Sequence, residues 1–448
     1  MKRLLSLASF LLISPSTPLA LSAAFAIGVQ TLFEASAQAK NTAAVASDPR
    51  GITVRIEGAV HGSGIIVKRQ GRQYTVLTAW HVIGQQNSGE EIDIYTSKGR
   101  MHKVEKRSIK KIDSVDLGLL TFSSDDIYPV ARIKEQPYLA ERGNMVVVTG
   151  YPIDSNSALI SRSGQIVANA TAYINEGYQL LYTNKTSTGM SGGPVLDTDG
   201  WLVAVHGRGE VNRLKYSLSG RLTKTGINQG IPIKYYKKFE TGVPMSDLDS
   251  HLTTTDDYLV KAKYLDATGT NFREIIRLTS TVIDKRDDAL AYFLRGDANK
   301  LGLRRERDAI SDYTRAIQIN PTYTEAYLAR GSAFLMVKDY QSAIEDYTYV
   351  IDMLSSEVEY LPLARLARGA AFSAINKLSN AFADYNWIIS NAKAKKVIVS
   401  PAVLKMTVRG LVSSVYRVGN RQNTCYFMKE MQNAGFDVAG ILPRHYCR

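Results

Sequence analysis

The stretch "STGMSGGPVL", Ser187 to Leu196, sets one serine among residues that leave the backbone nearly bare. Gly189 precedes Ser191 by two positions, Gly192 and Gly193 follow it, and Pro194 comes next. Glycine reaches backbone conformations closed to other residues, so the composition suits a sharp turn that exposes one hydroxyl. A serine hydroxyl is a weak nucleophile at neutral pH and needs a base within hydrogen-bond reach. The apolar neighbour, Met190, needs a reason of its own.

The chain has six histidines. His61, His102, His251 and His445 stand in ordinary polar or loop contexts. His81 sits in "VLTAWHVI", where a β-rich run gives way to a turn. An imidazole acting as base needs a carboxylate to hold its tautomer. Asp116 in "SVDLGLLTF" leads directly into an apolar strand that can bury one carboxylate. Asp113 is the local competitor and ranks below it, lacking the apolar run immediately after it.

These motifs lie in a strand-like region. From Gly51 to about Phe239, runs such as "GITVRIEG", "GSGIIVKR", "QYTVLTAW", "NMVVVTGYP" and "WLVAVHG" alternate or concentrate apolar residues between Gly, Asn and Asp clusters. Many short strands punctuated by turns indicate an all-β barrel or sandwich. "SDLDSHLTTTDD", Ser246 to Asp257, is polar and reads as a linker. After about Val260 the pattern turns helical and repeats: "AISDY" begins at Ala309, "AIEDY" at Ala343 and "AFADY" at Ala381. Arg295-Gly296, Arg330-Gly331 and Arg368-Gly369 precede them, and a fourth pair, Arg409-Gly410, precedes Tyr426. A repeat of this length means stacked supersecondary units.

"LTAWHV", "DLGLL" and "GMSGGPVL" together resemble the three catalytic motifs of the chymotrypsin-like (trypsin-like) serine peptidases, in the order His, Asp, Ser. The resemblance covers about 50–240 and implies two packed six-stranded β-barrels with a site in the cleft. It implies that Ser191 attacks a carbonyl, His81 moves the proton, Asp116 orients His81, and the N–H groups of Gly189 and Ser191 form an oxyanion hole. Activatable members carry an aspartate where this chain has Met190. That aspartate pairs with a new N-terminal ammonium after propeptide cleavage, which a methionine cannot do. Packing must hold the loop instead, and no cut near residue 50 is expected. The helical region resembles the tetratricopeptide repeat, with about three good units and a degenerate fourth. Departures are an inserted residue in the first unit, longer joints before the third, and Arg365 in place of an aromatic. Such repeats imply a superhelix with a concave face that docks a protein or peptide; a spacer or dimerisation module is the plainer alternative.

The fold class is therefore multidomain: an all-β double barrel followed by an all-α solenoid. Residues 1–39 read as an export signal, 50–240 as the peptidase domain, 241–285 as linker and lead-in helix, 286–435 as repeats and 436–448 as a tail. In the peptidase family the residues before the serine and the strand after it wall the specificity pocket: Lys185 and Thr186, then His206, Gly207, Arg208 and Gly209. Bacterial glutamyl endopeptidases are similar in having threonine and histidine at the positions of Thr186 and His206. Cleavage after Glu, with Asp second, is one expectation; a small or apolar preference is the other. In that second case Lys185 points outward, Glu210 neutralises Arg208 and His206 is a satisfied wall residue. Gly62-Ser63-Gly64 reads as close backbone packing beside the cleft, with no chemical role.

Composition narrows the classes. The 448 residues carry a net charge of +13, but Lys and Arg are scattered and no nucleic-acid motif appears, so DNA and RNA are excluded as expected partners. Lys2 and Arg3 precede apolar runs broken by Pro15 and Pro18, and Ala37-Gln38-Ala39 offers a cleavage box. That is an export signal, with membrane attachment only if it stays uncut. The two cysteines, Cys425 and Cys447, stay open as a disulfide or free thiols. No metal cluster or phosphate loop is evident, so no cofactor is implied. Two functions remain: an exported serine endopeptidase with a docking module, and an extracytoplasmic scaffold with an idle barrel.

Overall fold

The computed structural model describes residues 48–433 apart from 86–89, 136–139, 154, 209–224, 246–247, 354–359, 395, 398, 400 and 418–420. The export signal read at 1–39, pocket-wall residues Gly209 and Glu210, the tail at 436–448 and Cys447 lie outside the described residues.

The strand-like region forms two sheets. The first takes β1 (Thr53–Glu57), β2 (Gly62–Gln70), β3 (Gln73–Ala79), β4 (Asp93–Tyr95), β5 (Met101–Lys103), β6 (Lys110–Lys111) and β7 (Leu117–Ser123) in the order β5-β4-β1-β2-β3-β7-β6. The second takes β8 (Met145–Gly150), β9 (Ile160–Asn169), β10 (Leu180–Tyr182), β11 (Pro194–Asp197), β12 (Leu202–Arg208) and β13 (Asn228–Pro232) and closes as a six-stranded barrel. The first sheet departs from the expected six-stranded closed barrel: it has seven strands and its edges are not laddered together. Its edge strands are short, and a 3₁₀ turn at Lys106–Ser108 intervenes between them. There Thr121 N–H donates to Ser108 Oγ at 2.8 Å, a side-chain bond where a ladder bond would stand.

Alternation puts one face of each strand inward. Ile65, Leu77, Leu117 and Leu119 of the first sheet share one buried cluster with Leu196, Leu202, Val205 and Ile231 of the second. That cluster fastens the sheets together and fixes the cleft between them. Antiparallel β3 and β7 end in register, with Ala79 opposite Leu117. The residues just past those ends therefore meet: α2 (Trp80–Ile83) begins where Trp80 N–H donates to Asp116 O at 3.1 Å.

α1 (Pro49–Ile52) leads into β1, and α3 (Lys234–Glu240) follows β13. The segment read as linker and lead-in helix holds two helices, α4 (Thr255–Thr268) and α5 (Phe272–Ile283). α4 begins inside the polar stretch because Thr254 and Asp257 form a reciprocal capping box, which satisfies two donors at once. The repeats pair α6 (Ala289–Asp297) with α7 (Glu306–Ile319), α8 (Thr324–Met336) with α9 (Tyr340–Met353), α10 (Leu361–Ala374) with α11 (Leu378–Lys393), and α12 (Pro401–Arg417) with α13 (Arg421–Asn433).

The repeat signature acquires a physical meaning. Glycine lets the paired helix approach: a Cβ on Gly331 would lie 2.9 Å from the Tyr347 ring, and one on Gly369 2.7 Å from the Tyr385 ring. Each arginine before the glycine grips the aspartate before the tyrosine, at 2.7 Å for Arg295–Asp312, 2.6 Å for Arg330–Asp346 and 2.8 Å for Arg368–Asp384. The same guanidinium also donates to a hydroxyl on the preceding helix: Ser280, Thr314 and Thr348 in turn. Ser280 lies on α5, so the first link of this chain joins the lead-in helices to the stack. The inserted residue of the first unit is absorbed as a π-helical turn at Ala298–Gly302, the usual form of a one-residue insertion in a helix. Arg365, in the aromatic's place, lies 4.4 Å over the Trp387 ring and also bonds Asp384.

The helices are not a separate bead. Ala168, Ala170, Leu181 and Ile227 of the second sheet's region share a core with Leu259, Leu278, Val282, Leu290 and Leu294. Asp257 accepts the backbone N–H groups of Thr171 and Ala172 at 2.8 and 2.9 Å as well as capping α4. Burial opposes its ionisation, but these bonds and those from Thr253 and Thr254 prevail and hold its pKa at about 2.

Candidate active site

His81 and Asp116 are joined directly. The ring Nδ1 of His81 lies 2.7 Å from Asp116 Oδ2, and the backbone N–H of His81 donates to Oδ1 at 2.9 Å. Asp116 is 7% exposed. The buried phenol of Tyr178 donates a further bond to Oδ2. Burial works against the charge of Asp116, but the bonds from His81 and Tyr178 outweigh it and hold its pKa below the ordinary carboxylate range. The bonded carboxylate fixes Nδ1 as the protonated nitrogen and leaves Nε2 able to accept a proton.

Ser191 sits at the mouth of β11. Its carbonyl accepts from Ser63 N–H at 2.8 Å. Val82, next to His81, and the Ser191 carbonyl both press on Gly62, where a Cβ would lie 2.4 and 3.2 Å from them. Gly62 thus packs against both Val82, the neighbour of His81, and the Ser191 backbone. The Ser191 hydroxyl donates to Gly207 O at 2.9 Å rather than to His81. Hydroxyl rotamers interchange readily, and hydrogen bonds in active sites commonly tighten only in the substrate complex.

The turn before Ser191 is held on three sides. Gly189 has φ +101°, a conformation that favours glycine. Ser63 Oγ donates to Gly189 O at 2.8 Å and accepts from Tyr151 N–H at 2.9 Å. The Thr188 carbonyl accepts from Ile153 N–H at 2.9 Å, which turns the Gly189 N–H the other way across the same planar peptide. Among the described residues, none accepts from the N–H of Gly189 or of Ser191. Met190 is fully buried in the barrel core with Val146, Val148 and Val195, and its sulfur accepts from Ser187 N–H at 3.4 Å.

The pocket-wall residues divide. His206 is 1% exposed, and its Nδ1 lies 2.6 Å from Tyr182 Oη. Burial pushes its pKa down to about 3, with the charge of protonated His81 adding to the effect. Among the described residues its Nε2 is buried without a partner, as is Thr186 Oγ1. Arg208 is not brought to the pocket as a free charge: it pairs with Glu176 and lies over the rings of Tyr178 at 4.6 Å and Tyr264 at 5.2 Å. Its partner is thus Glu176, from a turn far away in sequence. Lys185, Thr186 and Ser187 line a cavity of about 810 Å³ between the barrel and the N-terminal ends of α6, α8 and α10. Gly207 supplies the carbonyl that holds the Ser191 hydroxyl, and its missing side chain makes room for Tyr178, whose Cε1 would lie 2.4 Å from a Cβ.

Residues 62–205 match the trypsin-like peptidase domain family. They are a trypsin-like peptidase domain. The chain is 26% identical over 221 residues to the serine protease Do-like HtrA of Lactococcus lactis subsp. cremoris, covering 45% of this chain and 52% of that protein. It is 24% identical over 152 residues to the serine protease Do-like HtrA of Bacillus subtilis, covering 32% of each. Over 65 residues it is 37% identical to human DnaJ homolog subfamily C member 7, covering 14% of this chain and 13% of that one. The chain thus matches about half the length of the Lactococcus protein.

Sequence reasoning missed Ser63, Tyr178 and Tyr182. "GSG" signalled a close approach, and Gly62 and Gly64 do make one; nothing signalled that the serine between them would grip the nucleophile's turn. Tyr178 and Tyr182 lie in an ordinary apolar run, and only the folded register brings them against Asp116 and His206.

Proposed function

We propose that this chain is an exported serine endopeptidase in which Ser191 attacks the scissile carbonyl, His81 transfers the proton and Asp116 orients His81. The bond between His81 Nδ1 and Asp116 Oδ2, beside a turn that leaves two N–H groups free, carries this reading. Nε2 of His81 takes the Ser191 proton as the C–O bond forms. The N–H groups of Gly189 and Ser191 receive the developing oxyanion, each such donor contributing about 3 kcal/mol. His81 then returns the proton to the leaving amine, and water repeats the sequence on the acyl-enzyme. The basic, interrupted apolar start of the chain supports export.

An acidic residue before the scissile bond fits the pocket. Nδ1 of His206 is held by the Tyr182 hydroxyl, which leaves Nε2 as a polar group without a partner among the described residues. Thr186 Oγ1 is a second. In the tautomer that carries its proton on Nε2, His206 donates as Thr186 can, and two such groups suit a carboxylate, since a buried polar group left unpaired is costly. The repeats serve to dock a polypeptide.

A fluorophosphonate probe tests the reading. Labelling of the full chain that is lost in Ser191→Ala supports it, and a peptide library then reads the pocket, where dominant cutting after Lys, Arg or Leu defeats the acidic preference. The bond from the Ser191 hydroxyl to Gly207 O is the observation that favours an idle barrel on a scaffold. No labelling of the intact chain is the result that reading requires.

A further inference from the structure

We propose that Tyr178 is the positioning residue of the Asp116–His81 pair, and that lead-in helix α4 holds it there through Arg208; this rests on the peptidase reading above. Oδ2 of Asp116 receives two donors, the His81 ring and the Tyr178 phenol. The phenol is fully buried. The turn that carries it, Asn175–Gly177, is itself tied to the acid, because Asp116 N–H donates to Glu176 O at 2.8 Å. Gly207 keeps the space the ring needs, with Tyr178 Oη only 2.7 Å from where a Cβ would stand.

The outer side of this arrangement belongs to α4. The Arg208 guanidinium lies between the Tyr178 ring and the Tyr264 ring of α4 and pairs with Glu176. Lys261 of α4 donates to Asn175 Oδ1 at 2.6 Å, at the start of the same turn. One helix therefore clamps both ends of the segment that presents the phenol. Arg208 follows directly on Gly207, whose carbonyl holds the Ser191 hydroxyl, so the clamp touches the nucleophile's support as well.

The chemical consequence has a sign. A phenol bond stabilises the carboxylate more when His81 is neutral than when His81 is an imidazolium that already balances the charge. The phenol thus favours neutral His81, the form that acts as base. Other titratable groups around the pair are Glu176, Arg208, His206 of β12 and Tyr264 of α4, and Tyr178→Phe keeps the ring on which Arg208 lies.

The test uses the full chain carrying Tyr178→Phe, Tyr264→Ala, or both. Tyr178→Phe raises the acidic limb of the kcat/KM profile by about half a pH unit and lowers kcat about three- to tenfold with KM unchanged. Tyr264→Ala moves both readouts the same way by less, and the double variant is no worse than Tyr178→Phe alone. The His81 ring titration, followed by NMR with labelled histidine, shows the same shift without substrate, so it reads the contact even in a chain that hydrolyses nothing. Should Tyr178→Phe fail to fold, the His81 titration in Tyr264→Ala supplies the answer. An unmoved His81 titration overturns the positioning role, and multiplicative losses in the double variant overturn the part given to α4. A wild-type chain without activity or labelling defeats the peptidase reading separately.

Discussion

Ser63 holds both ends of the tripeptide Gly189–Ser191: its Oγ donates to Gly189 O at 2.8 Å, and its N–H donates to Ser191 O at 2.8 Å. Thr78 Oγ1 in turn donates to Ser63 O at 2.6 Å, so the grip is anchored in β3 beside His81. Ser63→Ala strands the Gly189 carbonyl and the Tyr151 N–H in a buried setting, at about 1–3 kcal/mol of stability. The turn that presents the Gly189 N–H loses one of its anchors as well, and kcat falls about tenfold or more. Thermal melts and rates of fluorophosphonate labelling measure the two effects. A variant that labels at the wild-type rate removes Ser63 from the site.

The parts of the site that were legible in the sequence are those whose chemistry is local. Glycines around Ser191 announce a turn, and His81 and Asp116 announce themselves by standing at the ends of apolar strands. Their meeting depends on β3 and β7 ending in register, which the two runs alone do not specify. Arg208 shows the limit more sharply. Its charge is obvious in the sequence, yet its partner Glu176 is 32 positions away and its ring contact Tyr264 lies beyond the barrel altogether. The first three repeat units were readable because each contains its own Gly–Tyr contact and Arg–Asp pair, whereas Gly410 of the degenerate fourth packs on Tyr385 of the third. The shared core of barrel and helices was not, because Ala168, Ala170 and Ile227 look the same whether they face a barrel interior or a helix.

His206 gives the fold an acid sensitivity with a defined direction. Burial lowers its pKa from 6.5 to about 3, so between those values the unfolded chain binds a proton that the folded chain does not. The stability this histidine contributes is full above about 6.5 and falls as pH drops toward about 3. His206→Gln removes the titration, and its thermal midpoint falls less between those pH values than that of the wild type. Parallel curves for the two proteins contradict this. The same variant loses the Nε2 donor, and cleavage after Glu falls about tenfold or more relative to cleavage after other residues if the pocket works as proposed.

The repeated Arg–Asp pair predicts an asymmetry between breaking a pair and replacing it. Asp346 is 4% exposed, and its pKa is raised because burial outweighs the stabilising bond from Arg330. Arg330→Ala leaves that acid buried without its partner, at about 3–5 kcal/mol. Arg330→Met with Asp346→Leu removes both charges and keeps the volume, and it recovers most of the loss. Chemical denaturation of the full chain, followed at the helical signal, reads the comparison. Equal losses in the two proteins mean that the pair is not the unit of stability between α8 and α9.

Met190 replaces a switch with packing, and the replacement can be tested from both sides. The side chain is fully buried among Val146, Val148 and Val195, and Gly150 approaches so closely that a Cβ there would lie 2.8 Å from Met190 Cα. A loop held in this way needs no new N-terminal ammonium. A chain trimmed only after Ala39 is therefore expected to take a fluorophosphonate label at once, with no gain on cleavage near Arg50. Met190→Asp places a carboxylate in the same cavity with no cation to receive it, and destabilises the barrel by about 3 kcal/mol or more. Its labelling is lost with the turn. If instead the trimmed chain is inert and wakes on cleavage near Arg50, the turn is not preformed, and the free N–H groups of Gly189 and Ser191 belong to a state reached only after processing.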